Sequence, residues 1–143
     1  MKFKKILIAV DESTHAARAM EVGIELAGLL HAEIAFVHVF DERSIPGGVV
    51  AVDAGSDEVE FYRKEARKLL HAFAERAVAT PTPLTFLESG KPGPRIVAVA
   101  KQWQADIIVM GTRGRSPIAS ALTGSDAQSV LHHAPCPVLA VKD

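Results

Sequence analysis

Glycine, arginine and serine recur in one segment at a spacing that suits an anion: Gly111-Thr112-Arg113-Gly114, nine further residues, then Gly124-Ser125. Gly114 and Gly124 admit close approach of the main chain to a phosphate. A helix starting near Asp126 adds unpaired N–H donors and a positive dipole end. Arg113 offers a charge-assisted fork, and Ser125 combines a hydroxyl with a helix N-cap. A lone G-x2-G occurs in many turns. Extended to G-x2-G-x9-G-S directly after the apolar run Ile107–Met110, it is specific, and the chemistry it suits is a polyphosphate cradle.

The common nucleotide fingerprints are absent. No G-x-x-x-x-G-K-[ST] supplies a P-loop lysine, and no G-x-G-x-x-G follows the first apolar run. That run ends Ala9-Val10-Asp11-Glu12-Ser13. Asp11 at this position can accept hydrogen bonds from ribose hydroxyls or an adenine amino group; equally, Asp11 or Ser13 can cap the helix that follows. Six histidines invite a metal reading, but His132 and His133 are successive and point roughly 100° apart on a helix, so they do not converge. They suit the last turn, where a cation meets the dipole favourably. His38 fits a packed or hydrogen-bonded strand histidine, and Lys91, after Gly90, a solvated loop lysine within reach of the site. Phosphoanhydride cleavage needs a positioned water and an orienting base, and no motif nominates a base. No catalytic residue and no protein metal ligand is assigned, and hydrolysis is expected to be slow if it occurs.

These residues must be positioned by a regular scaffold. Five short apolar runs, Ile6–Val10, Ile34–Val39, Leu84–Leu87, Ile107–Met110 and Val138–Val141, are mostly continuous, the habit of strands covered on both faces of a parallel sheet. Helical stripes fill the gaps. Met20, Ile24, Ala27 and Leu30 share a face after Ser13-Thr14; Val59, Tyr62, Ala66, Leu69, Phe73 and Ala77 do so after Ser56. Ile96, Ala100 and Trp103 follow Pro92 and Pro94, and a fourth helix runs from Ser125 to about His132, ending before Pro135. Phe73 and Trp103 are expected in the core. Alternating strands and helices imply an α/β fold with right-handed crossovers and an open sheet, which binds ligands at the C-terminal ends of its strands. Asp11, Val39, Gly90 and Gly111 end or follow the first four strands, so the glycine segment lies on that rim.

With 143 residues, 48% apolar and 23% charged, the chain is expected to form one domain, 1–143, with a real core. Its formal net charge of −1 gives no global field for nucleic acid or an anionic membrane. The distribution is uneven: residues 1–90 carry 10 Lys and Arg against 14 Asp and Glu, whereas residues 91–143 carry 6 against 3. The half with the glycine segment is the basic half. Cys136 is the only cysteine and reads as a buried structural thiol. The N-terminal apolar run stops at Asp11, too short for a membrane span, and a cytoplasmic location is expected. The connection Asp41–Gly55 is long and suits a lid, an interaction segment or a surface excursion.

Taken in order, KKILIAVDES, the strand IAFVHV, the segment Asp106–Gly111 with its G-x2-G-x9-G-S continuation, and the ending HHAPCPVLAV resemble the universal stress proteins, over nearly the whole chain. The resemblance implies a Rossmann-like sheet of five parallel strands in the order 3-2-1-4-5, with ATP and a divalent metal, Mg2+ or Mn2+, held across the switch between strands one and four. By position it implies that Asp11 and the backbone of Val39 meet the adenosine, that Ala9 and Val10 wall the adenine, and that Met110 and Gly111 floor the pocket. Arg113, Gly114, Gly124, Ser125 and the position of Asp126 surround the phosphates. It further implies a homodimer through the strand Val138–Val141, and a stress or signalling role exerted on a protein partner.

One residue departs from what the resemblance leads one to expect. After the Gly-Ser pair a small or β-branched residue is common, and here it is Asp126. A carboxylate there favours its own helix through the dipole by about 0.3–1 kcal/mol. It repels a triphosphate unless it holds a bridging metal. Two alternatives to an ATP-dependent switch therefore stand: a dimeric scaffold or chaperone-like protein without nucleotide, and a slow ATPase.

Overall fold

A computed structural model of the chain describes residues 2–11, 13–41, 57–77, 82–112 and 125–142. These form strands β1 (Lys5–Ala9), β2 (Glu33–Phe40), β3 (Leu84–Ser89), β4 (Ile107–Gly111) and β5 (Val138–Val141). Helices α1 (Thr14–Leu30), α2 (Asp57–Arg76), α3 (Pro92–Trp103) and α4 (Ser125–His133) alternate with them. All pairings are parallel, in the order β3-β2-β1-β4-β5. Each expected strand and helix is present, with ends shifted by a residue or two, and the strand order is the expected one.

The sheet divides the core into two layers. Ile6, Ile8, Ile34, Phe36, Ile107 and Val109 meet α1 and α2 on one face. Leu7, Ala35, Val37, Val39, Ile108 and Met110 meet α3 and α4 on the other. Both faces of β1, β2 and β4 are thus apolar, which explains why their sequences run continuously rather than alternating. Phe36 is fully buried and lies 6.3 Å from the Phe73 ring. Its truncation would cost about 3–5 kcal/mol. Trp103 is half-buried against Phe86 at the margin of the second layer rather than inside it.

The expectation of two covered faces fails for β3. Leu84 is 54% exposed and no residue of the strand is buried, because among the described residues β3 pairs only with β2 and forms one edge of the sheet. At the opposite edge, β5 alternates between half-buried and exposed residues before the buried Val141. α1 reaches the sheet through Gly23, where an added Cβ would stand 2.5 Å from Ile8 Cδ1. A poor helix former is retained there because nothing larger fits between helix and strand.

α1 and α3 both end on a residue in the left-handed region, His31 and Gln104, whose N–H closes back on the last turn. Asp106 then ties the sheet together from outside: its Oδ2 accepts from the N–H of Lys4 at 2.8 Å and of Lys5 at 2.9 Å. No helix among the described residues is long and apolar enough to cross a membrane.

Candidate functional site

β1 and β4 are neighbours, yet they lead to α1 on one face and towards α4 on the other, so the chain reverses its winding between them. Open parallel sheets bind ligands at the C-terminal end of such a switch. Ala9, Val39 and Met110 lie at that end within or against the α3/α4 layer. Val10 packs in the other layer, under α1, so its side chain faces away from Val39 and Met110. Its backbone is fixed by β2 at both ends: Val10 N–H donates to the Val37 carbonyl at 2.9 Å, and the buried His38 bonds the Val10 carbonyl through Nδ1 at 2.9 Å. His38 is therefore a hydrogen-bonded strand histidine. It locks the corner that carries Asp11.

Asp11 is half-buried, and one of its oxygens is in use. Oδ1 accepts from the Ser13 N–H at 2.8 Å and from the Ser13 hydroxyl. Ser13 occupies the N-cap position of α1, but its hydroxyl makes no capping bond, being turned towards Asp11 instead. The simple cap reading thus gives way to a local turn centred on the aspartate. Oδ2 of Asp11 has no hydrogen-bond partner among the described residues and remains an acceptor at the rim.

Thr112 is a residue of this rim that the sequence reading passed over. It continues the alternation of β4 on the Met110 side, and its N–H donates to the Val141 carbonyl at 3.0 Å. The residue is only 8% exposed, and among the described residues no buried side-chain nitrogen or oxygen is left without a hydrogen-bond partner. Its position within G-T-R-G was the available signal.

The helix N-termini complete the geometry. α3 begins Pro92-Gly93-Pro94, so within its first three residues only Gly93 has an N–H to satisfy. That N–H donates to Asp126 Oδ1 at 3.1 Å, across 33 residues of sequence. Asp126, in the first turn of α4, therefore caps α3 in trans. Gly93 is glycine for a spatial reason: an added Cβ would stand 2.8 Å from Ser129 Cβ and 3.3 Å from the Asp126 carbonyl. The structure thus gives Asp126 a third role, distinct from metal ligand and from bare repulsion. Lys91, the N-cap of α3, is exposed.

Arg113, Gly114 and Gly124 lie outside the described residues, as does the connection 42–56; Ser125 opens α4. Among the described residues, no group of three or more His, Cys, Asp or Glu could hold a metal ion. Asp11 and Asp126 each use Oδ1 to accept a backbone N–H. His133 bonds the Ser129 carbonyl through Nδ1 at 2.9 Å, as befits a last-turn histidine. Cys136 is half-buried; burial, and then the nearby Asp106 charge, raise its thiol pKa, against a partial offset from the Ile108 backbone.

Fold and site together define an open, doubly wound α/β sheet whose candidate site sits at the switch between β1 and β4. Comparison with known proteins supplies the family: the model described as the Universal stress protein family matches residues 2–142, and the chain belongs to that family. A universal stress protein of Thermus aquaticus is 35% identical over 140 residues, covering 98% of this chain and 99% of its own length. The universal stress protein UspA from Lactobacillus plantarum superimposes with a TM-score of 0.82 at 25% identity, over 99% of each chain. The universal stress protein from Archaeoglobus fulgidus, solved in complex with dAMP, superimposes with a TM-score of 0.68 at 26% identity, over 99% of this chain and 100% of that one.

Proposed function

We propose that this chain is a cytoplasmic stress-response protein that binds an adenine nucleotide across the C-terminal ends of β1 and β4, and that occupancy alters the surface it presents to a protein partner. The observation that carries the reading is the gathering at the switch point of apolar walls and polar residues: Ala9, Val39 and Met110 near the strand ends that carry Asp11 and Thr112. Flat apolar walls with a few placed polar groups suit a base and its sugar. The dAMP held by the Archaeoglobus fulgidus relative supports the same ligand class here. Arg113, Gly114, Gly124 and Ser125 would surround the phosphates, and any divalent metal would arrive with ATP rather than on a protein cluster.

The whole chain would act as one domain and pair along β5. Among the described residues no strand pairs with the outer side of β5, and Leu139 in it and Leu131 in α4 are 39% and 48% exposed. An apolar open edge favours pairing with a second copy. A dimeric scaffold without nucleotide is the second reading, favoured by the commitment of Asp126 to Gly93 in place of a phosphate.

Equilibrium titration with AMP, ATP with and without Mg2+, and GMP distinguishes the two. Saturable binding of an adenine nucleotide, weakened at least about tenfold by Asp11→Ala, is the expected result. No binding of any of them at millimolar concentration would leave the scaffold.

A further inference from the structure

We infer that His38 is a positioning residue for the nucleotide: from the opposite face of the sheet it fixes the peptide that carries Asp11, and so sets how tightly Asp11 holds the sugar. The inference rests on adenine-nucleotide binding at the rim, and it concerns how that same site is kept in shape. Successive residues of a strand point to opposite faces of the sheet. Val37 and Val39 of β2 pack in the α3/α4 layer, so His38 between them points into the α1 layer, where Val10 packs. It is buried there, at 3% exposure. The sheet itself therefore separates the imidazole from the apolar wall that Val39 shares with Ala9 and Met110, and His38 acts on a nucleotide only through other residues.

The path runs through one peptide unit. The β1–β2 register ends at Ala9↔Val37. Just beyond it, the Val10 N–H donates to the Val37 carbonyl and the His38 ring nitrogen Nδ1 lies 2.9 Å from the Val10 carbonyl oxygen, so consecutive residues of β2 grip Val10 at both ends. A carbonyl only accepts, which makes Nδ1 the protonated nitrogen of the ring. The Val10 carbonyl shares a rigid plane with the N–H and Cα of Asp11, so this bond fixes the direction in which Asp11 leaves the sheet. Ser13 fixes the other end of the residue, its N–H donating to Asp11 Oδ1 at 2.8 Å and its hydroxyl donating to the same oxygen. Asp11 is thus held at its backbone by β2 and at its carboxylate by the start of α1. Without the imidazole, a buried carbonyl loses its partner and the plane is free to turn. Hydrogen bonds from a sugar to the carboxylate weaken steeply with distance and angle, so affinity falls with that freedom.

The test compares His38→Asn, His38→Leu, Asp11→Ala and the double variant His38→Leu/Asp11→Ala, with AMP affinity measured by calorimetry at neutral pH and folding checked by urea unfolding. Asparagine places its amide N–H close to where Nδ1 stands and keeps the bond, whereas leucine fills the space without a donor. His38→Leu should weaken AMP binding about five- to tenfold, and His38→Asn less than about threefold. In the Asp11→Ala background the same leucine should weaken it less than about twofold, because the group that His38 positions is gone. A role confined to packing would weaken binding by the same factor in both backgrounds. Should His38→Leu not fold, His38→Gln replaces it with the same expectations, since the glutamine nitrogen stands one bond too far out to replace Nδ1.

Additive losses in the double variant, wild-type affinity in His38→Leu, or an asparagine variant that binds as weakly as the leucine one would each overturn the inference while leaving adenine-nucleotide binding intact. So would an Asp11→Ala protein that binds AMP as tightly as wild type, since Asp11 would then have nothing to hold. Binding of no adenine nucleotide by the wild type would overturn the rim reading and this inference with it.

Discussion

Gly93→Ala is the sharpest structural perturbation available near the site, and its effect can be worked from the geometry. The new methyl would lie 2.8 Å from Ser129 Cβ and 2.9 Å from Ser129 Oγ, separations that packed side chains do not tolerate, with backbone on the third side at 3.3 Å. Overpacking of this kind costs about 1–3 kcal/mol. Alanine recovers up to about 1 kcal/mol of helix propensity in α3, so a net loss of about 1–2 kcal/mol is expected. Ser129→Gly alone should cost about 0.5 kcal/mol through propensity. In the double variant the clash partner is gone, so the two losses should combine to less than their sum, with a coupling of about 1 kcal/mol or more. Urea unfolding followed by the fluorescence of Trp103, the only tryptophan and a resident of α3, measures all four proteins. Additive losses, or a Gly93→Ala protein as stable as wild type, would refute the close α3–α4 contact on which the trans cap depends.

Three further outcomes are expected. Asp106→Ala deletes two charge-assisted bonds to the start of β1 and should lower stability by about 2–3 kcal/mol, readable as a shift in urea midpoint. Cys136 has its thiol pKa raised in the fold, so the folded state disfavours the thiolate. The stability this contributes is complete below the unfolded thiol's pKa and is lost as pH rises through the folded value. Between about pH 8 and 10, Cys136→Ala should therefore lose less stability than wild type, and wild-type Cys136 should alkylate more slowly at pH 8 than a free cysteine; equal slopes or equal rates would remove the assigned cause. Leu139→Lys puts a charge on β5 and should convert the proposed dimer into a monomer by light scattering, whereas a monomeric wild type or an unchanged mass would rule out pairing along that strand.

The sequence discloses the sheet because β1, β2 and β4 are covered on both faces, and continuous runs such as Ile6–Val10 carry that burial openly. It misleads at β3, where Leu84-Thr85-Phe86-Leu87 looks equally apolar but lies on an edge, a property of strand order rather than of composition. The corner at Asp11 is legible in part. An aspartate followed two residues later by serine admits both a cap and a free acceptor, and only the turn geometry shows Ser13 spent on Asp11. Asp126 is the instructive case. Its partner is 33 residues away, and the need for it arises from Pro92 and Pro94, which leave Gly93 as a lone donor; neither half is meaningful without the packing of α3 on α4. Thr112 carries a similar lesson, since its place on the rim is set by β5, whose Val141 carbonyl accepts its N–H.

The central claim is that the rim between β1 and β4 holds an adenine nucleotide, and a crystal structure of the protein grown with AMP tests it most directly. The account predicts the base against Ala9, Val39 and Met110, the ribose within hydrogen-bond reach of Asp11 Oδ2, and the phosphate near Thr112 and the start of α4. A nucleotide bound elsewhere on the surface, or a rim that stays empty at saturating AMP and ATP in solution as well as in the crystal, would contradict it.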